Sequence, residues 1–163
     1  MLPRDESNSL LNDAIKMAML LTEKHGANMP FCMAVTEDGK RVNIAADDTL
    51  VSDYEELYKL VHNQVKEAAD SGTYRAVAVT RHVTFRASPL VSPGTEAIQI
   101  TLDHIDDSAC TCYLPYSNEQ GVITPGELFA TEPVEIYFIK ESQEITESNS
   151  TKQSGFFSRL FKR

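Results

Sequence analysis

The chain has 163 residues, 42% hydrophobic and 24% charged, with a formal net charge of −9. That is enough for one domain with a single core, and the composition argues against global disorder, a collagen or a small disulfide scaffold. No apolar run approaches the roughly 20 residues that cross a bilayer, and the opening Met1-Leu2-Pro3-Arg4-Asp5-Glu6 has acids and no apolar core, so no signal peptide is expected.

Asp5 to Ser9 offers several N-cap residues. Leu11, Ala14, Ile15, Ala18 and Leu21 follow at helical spacing, and Leu10, Met17 and Leu20 widen the stripe. A helix over about 9–25 is predicted, closed by Gly26. Residues 31–46 read as a hairpin. Phe31, Met33 and Val35 alternate before Asp38-Gly39, and Val42, Ile44 and Ala46 alternate after it; the Asp-Gly pair suits a two-residue turn. Ser52 and Glu55 stand at capping-box spacing. Tyr54, Leu57, Tyr58, Val61, Val65 and Ala68 then predict a second helix over about 53–70, ended by Gly72.

A long strand is expected over 74–85, with Val77, Val79, Val83 and Phe85 on one face. Pro89, Pro93 and Gly94 mark 87–96 as a loop. Ile98, Ile100 and Leu102 alternate with Gln99, Thr101 and Asp103, a strand with one wet face. Asp106-Asp107-Ser108 reads as a turn, and Cys110, Cys112 and Leu114 line the next strand. Residues 118–126 read as a loop, and 134–139 as a last strand with Val134, Ile136 and Phe138 on one face. The order is α-β-β-α-β-β-β-β. It predicts an α+β fold: a mostly antiparallel sheet of about five to six strands with two helices on one face.

The expected organisation is a single α+β domain over 1–140, a disordered polar linker over 141–154 and a basic amphipathic aromatic tail over 155–163. After Glu147 there are no acids but four bases, Lys152, Arg159, Lys162 and Arg163. Residues 1–147 therefore hold 11 bases against 24 acids, a net of −13. A body that acidic repels phosphate backbones, so no nucleic-acid partner is expected. Three cysteines, Cys32, Cys110 and Cys112, are an odd number and read as reduced thiols of a cytoplasmic protein.

Several constellations contain residue types that do chemistry. His104, Asp106, Asp107, Cys110 and Cys112 lie within nine residues and are all zinc-ligand types. In a strand, however, residues two apart sit about 6.5–7 Å from each other, wide for a chelate. The competing reading makes both thiols small core residues and Asp106-Asp107 a turn, and no metal or cofactor is expected. Cys32 has His82 or His104 as a candidate base, but nothing local marks an activated thiol, and alternation puts it opposite Phe31, Met33 and Val35. Arg81 shares a face with Val79 and Val83 and needs an acid, with Glu96 or Asp103 across a hairpin as candidates. Tyr116 follows Pro115, which ends regular pairing or marks an edge, and stands near a loop with Glu119 and Glu127. No phosphate-binding glycine motif occurs.

The tail carries the sharpest pattern. Phe157, Leu160 and Phe161 fall at i, i+3, i+4, Phe156 lies four before Leu160, and Arg159, Lys162 and Arg163 occupy the rest of the wheel. Such a segment docks into a groove or lies in a membrane interface. Large apolar side chains contribute roughly 1.5–3 kcal/mol each when buried, and each base about 1 kcal/mol near an anionic surface. Ordering costs about 1–2 kcal/mol per residue, so attachment is weak and reversible. The competing reading folds the tail back onto its own acidic domain.

Pro30-Phe31 through Asp38-Gly39, Ala45-Ala46-Asp47, Tyr74-Arg-Ala-Val-Ala-Val79, Ala97-Ile-Gln-Ile-Thr-Leu-Asp-His104, Leu114-Pro-Tyr116 and Gly126-Glu-Leu128 occur in that order over about 30–130. Together they resemble a family of small, uncharacterised bacterial proteins. That resemblance implies no catalytic residues. The element order is also similar to roadblock and profilin-like scaffolds, which imply protein–protein contacts by analogy of order alone.

Two readings follow. In the first, the protein is a non-enzymatic cytoplasmic interaction or adaptor module, docking through Phe156, Phe157, Arg159, Leu160, Phe161, Lys162 and Arg163 on a protein partner or peripherally on the inner membrane face. In the second, it is a small enzyme or small-molecule binder with a sheet-edge pocket near Cys32, His82, His104 and Tyr116. An exposed sheet edge would also permit a homodimer.

Overall fold

The computed structural model describes residues 1–46, 53–86 and 90–140. Ser52 of the capping box, Pro89, the polar linker and the aromatic tail lie outside the described residues. The elements are α1 (Pro3–His25), β1 (Phe31–Thr36), β2 (Arg41–Ala45), α2 (Tyr54–Asp70), β3 (Tyr74–Thr84), β4 (Glu96–His104), β5 (Asp107–Glu119), β6 (Val122–Pro125) and β7 (Phe129–Thr131). The fold is α+β, in the expected order, with two helices and an antiparallel seven-stranded sheet.

Helix α1 starts earlier than the cap residues suggested. Pro3 opens it with no side-chain cap, and Asp5 and Glu6 occupy the first turn. Proline presets the helical φ and lacks the amide a first turn leaves unpaired, while acids favour the positive helix end. Gly26 closes it at φ 82, its amide donating to the Thr22 carbonyl at 2.8 Å. In α2 the cap is Asp53, whose carboxylate accepts from the Glu56 amide at 3.0 Å. The first hairpin turns through Glu37-Asp38-Gly39, one residue more than the two-residue turn expected. The Thr36 amide reaches the Lys40 carbonyl, and Gly39 takes φ 89.

Strand order is β2-β1-β3-β4-β5-β6, with β7 also pairing β5. The helices cover opposite faces rather than one. Leu10, Ala14 and Ala18 of α1 pack on Phe31, Met33 and Val35, on Ala76 and Ala78, and on Ile98, Ile100 and Leu102. Val61, Val65 and Ala69 of α2 pack on Cys32 and Ala34, and on Val77 and Val79. Both parities of β1 and β3 are apolar, so both faces need cover, and each helix supplies one small-residue or β-branched stripe for it.

Three further expectations are corrected. The wet face of β4 is closed: Gln99, Thr101 and Asp103 are each 1% exposed. The expected loop over 118–126 is mostly hairpin. Gln120 and Gly121 both take positive φ, 56 and 85, which makes a tight turn between β5 and β6. Pro115 accordingly sits within β5, opposite Ala97 of β4; on its other side its carbonyl accepts from the Gly126 amide at 2.7 Å. Last, residues 134–139 form no strand. The Tyr137 and Phe138 amides instead donate to Asp103 Oδ2 at 2.9 and 3.0 Å, and both side chains are buried. A buried carboxylate takes the donors that a strand neighbour would have used.

Candidate functional site

Residue types singled out for chemistry fall into separate environments. Cys32 lies on the α2 face, 0% exposed, and burial pushes its thiol well above the usual range. It is no nucleophile. His104 lies at the far end of β4, on the α1 face. Its Nε2 stands 2.9 Å from Glu6 Oε2, and its Nδ1 accepts from the Asp106 amide at 2.9 Å, which leaves Nε2 as the donor. Arg75 grips the same carboxylate from the other side, Nε to Oε2 at 2.9 Å and a terminal nitrogen to Oε1 at 2.5 Å. The Arg75 hydrogen bonds hold Glu6 below the usual carboxylate range, against its burial and with help from His104. This end of β4 is a satisfied network tying α1 to the sheet.

The ligand cluster around His104 therefore does not assemble. Among the described residues no three or more His, Cys, Asp or Glu side chains are placed to hold a metal ion. Asp107 pairs with Arg4 at 3.1 Å. Cys110 and Cys112 do meet, their sulfurs 3.9 Å apart. The hydrogen bond from Cys112 lowers the Cys110 thiol to about 7 and raises that of Cys112.

His82, Glu96 and Tyr116 are the residues that do converge. Register places Thr84 opposite Glu96 and Glu96 opposite Tyr116, with His82 two residue pairs further along, on the same face. His82 Nε2 stands 3.4 Å from Glu96 Oε1, within ion-pair reach but without hydrogen-bond geometry. The rings of His82 and Tyr116 are 6.3 Å apart. The Tyr116 hydroxyl is buried without a hydrogen-bond partner, and burial pushes it up to about 12. Glu96 and Tyr116 line an open cleft of about 550 Å³ completed by Pro93, Asn118, Thr124 and Pro125. Neither Glu119 nor Glu127 lines it.

On the opposite sheet face, Arg81 pairs with Glu55 of α2, not with Glu96 or Asp103, and stacks 4.0 Å over the Tyr58 ring. Parity removes Glu96, which shares the His82 side, whereas Asp103 lies on the Arg81 face but four residues along β4 from Gln99, the residue opposite Arg81. Tyr54 bridges the two helices' territories, donating to the Asn28 carbonyl at 2.9 Å and accepting from the His82 amide at 2.6 Å. Arg81 Nε, Gln99 Oε1 and Thr101 Oγ1 are buried without hydrogen-bond partners. With His82 Nε2 and Tyr116 Oη, five such atoms lie on β3, β4 and β5, three on the α2 face of the sheet and two on the α1 face. Sequence reasoning had Glu96 only as a partner for Arg81, since its place beside Tyr116 depends on pairing across two strands.

No helix among the described residues is long and apolar enough to cross a membrane. No family model, curated protein or solved structure matches the chain.

Proposed function

We propose that the protein is a non-enzymatic cytoplasmic interaction or adaptor module whose C-terminal tail is its docking element. The observation that carries this reading is the strap over residues 132–140. Asp103 holds the Tyr137 and Phe138 amides and, at 2.8 Å, the Lys140 ammonium. The described chain is therefore fixed to the sheet up to Lys140. Val134, Ile136 and Ile139 are exposed beside that point, an apolar flank suited to a protein partner. Phe156, Phe157, Arg159, Leu160, Phe161, Lys162 and Arg163 follow after about 15 residues, which span at most ~50 Å when extended. The competing enzymatic reading loses Cys32 and His104, which are committed to the fold.

The test compares the full chain with residues 1–150 in co-sedimentation with anionic vesicles at low and moderate salt. Docking on the membrane face predicts that only the full chain sediments, that salt weakens it, and that both chains melt alike. If neither sediments, photo-cross-linkers at Phe157 and Phe161 search for a protein partner; cross-links confined to the protein's own domain overturn the reading, as does equal sedimentation of the truncated chain.

A second reading has its own observation: Tyr116, whose buried hydroxyl has no hydrogen-bond partner among the described residues, is one of the residues lining a cleft of about 550 Å³. Here the domain binds a small polar molecule between Glu96 and Tyr116. A compound that raises the melting temperature of the wild type but not of Tyr116→Phe supports it. Equal shifts in both place the compound elsewhere.

A further inference from the structure

We propose that Cys110 and Cys112 form a two-thiolate site for a soft, thiophilic cation of the copper(I) class. Chain spacing alone spoke against a chelate, because strand residues two apart are widely separated. The side chains lean together instead, and the sulfurs stand 3.9 Å apart. With metal–sulfur bonds of about 2.3 Å, one ion bridging them subtends an S–M–S angle of about 115°. That is near the trigonal angle of a three-coordinate ion and needs no backbone movement.

A disulfide fits less well. It needs sulfurs about 2.05 Å apart, and the strand is held on both sides: Cys110 pairs with Leu102, and Cys112 with Ile100 of β4 and Ala130 of β7. Drawing the two residues together would disrupt that ladder, whereas a bridging ion leaves it intact.

The donor set selects the class of ion. Thiolate is a soft ligand, suited to copper(I). Zinc takes three or four protein ligands, and among the described residues these thiols have no third His, Cys, Asp or Glu with which to complete a site. The sulfurs open on a cleft of about 260 Å³ with Leu11, Leu102, Leu128 and Phe129 in its wall. An apolar wall favours a soft ion over a strongly hydrated one, and the open side leaves room for a small exogenous thiol as third ligand. Arg4 and Asp107 line the same cleft as an ion pair, so the wall beside the sulfurs carries no net charge. Binding forms two metal–sulfur bonds, releases one proton from each thiol to solvent, and changes no oxidation state.

The test titrates anaerobic full-length protein with copper(I) against a chromophoric copper(I) chelator. One ion per chain is expected. Cys110→Ser should weaken binding at least 100-fold, and Cys32→Ala should not change it. Equal affinity in Cys110→Ser overturns the site. Because Cys112 lies in the core, X-ray absorption on the wild-type complex gives a readout independent of any variant's folding. Sulfur neighbours at about 2.3 Å support the site, and a shell of nitrogen and oxygen alone overturns it.

Discussion

The two ends of β4 carry the same kind of pair, a histidine beside a glutamate, and treat it differently. At one end Glu6 receives His104 and Arg75 together, and His104 spends its second nitrogen on the Asp106 amide. At the other, His82 stands 3.4 Å from Glu96 without a hydrogen bond, and Tyr116 beside them has no partner. The His82–Glu96 pair is the more open, with side chains 19% and 42% exposed against 3% and 9% for His104 and Glu6, but Tyr116 is only 4% exposed, so burial alone does not separate the two ends. Completion does. The Glu6 network draws on α1, β3 and β4, so it locks a helix to the sheet. The Glu96 end draws on β3, β4 and β5 beside a cleft, and it leaves polar atoms that nothing in the described fold requires. A fold tolerates such atoms when water or a ligand meets them.

The largest effect should come from breaking the completed end. Glu6→Ala leaves a buried imidazole N–H and a guanidinium without their acceptor, a loss of about 3–5 kcal/mol. For a chain of this size that lowers Tm by roughly 10 °C, measurable by calorimetry. The same network sets an acid limb. Glu6 is held below its ordinary value of 4.5 in the folded state. Its contribution is therefore present above that value and lost as pH falls through the folded one. Glu6→Gln should flatten the stability profile below pH 4.5; an unchanged acid limb would assign it to other carboxylates.

Next comes the strap. Asp103→Asn keeps one acceptor for the Tyr137 and Phe138 amides but gives Lys140 no counter-charge, at a cost of about 2 kcal/mol. Hydrogen exchange should then speed up at Tyr137 and Phe138 while the Glu6 end keeps its protection. Uniform loss of protection would mean that the two ends are one cooperative unit.

Sequence patterns located both helices, the first hairpin and three central strands, because periodicity and glycine positions are local signals. Where they misled, non-local contacts decided. Alternation of Ile98, Ile100 and Leu102 with Gln99, Thr101 and Asp103 marks a polar face, but cannot say whether water or a strap lies on it. Gln120-Gly121 lacks the usual asparagine, so its turn passed as an irregular loop. Val134 to Ile139 has strand composition, yet Asp103 captures its amides from another strand. Cys32 was placed on the correct sheet face by parity alone, whereas the meeting of His82, Glu96 and Tyr116 requires the register of two strand pairs. The sulfurs of Cys110 and Cys112 needed rotamers as well as register.

The smallest effect is the most discriminating. Tyr116→Phe removes a hydroxyl that has no partner among the described residues, so it should change stability by no more than about 0.5 kcal/mol in either direction. A buried polar group that makes no hydrogen bond contributes only its desolvation cost, and its apolar isostere avoids that cost. A loss of about 1–2 kcal/mol would instead mean that an ordered water completes the hydroxyl, making this end as finished as the Glu6 end. Denaturant unfolding resolves the two outcomes, because a phenylalanine leaves the surface exposed on unfolding, and hence the slope, unchanged. Neutrality would leave the hydroxyl as a group held buried for something outside the fold, and the cleft beside it as the place to look.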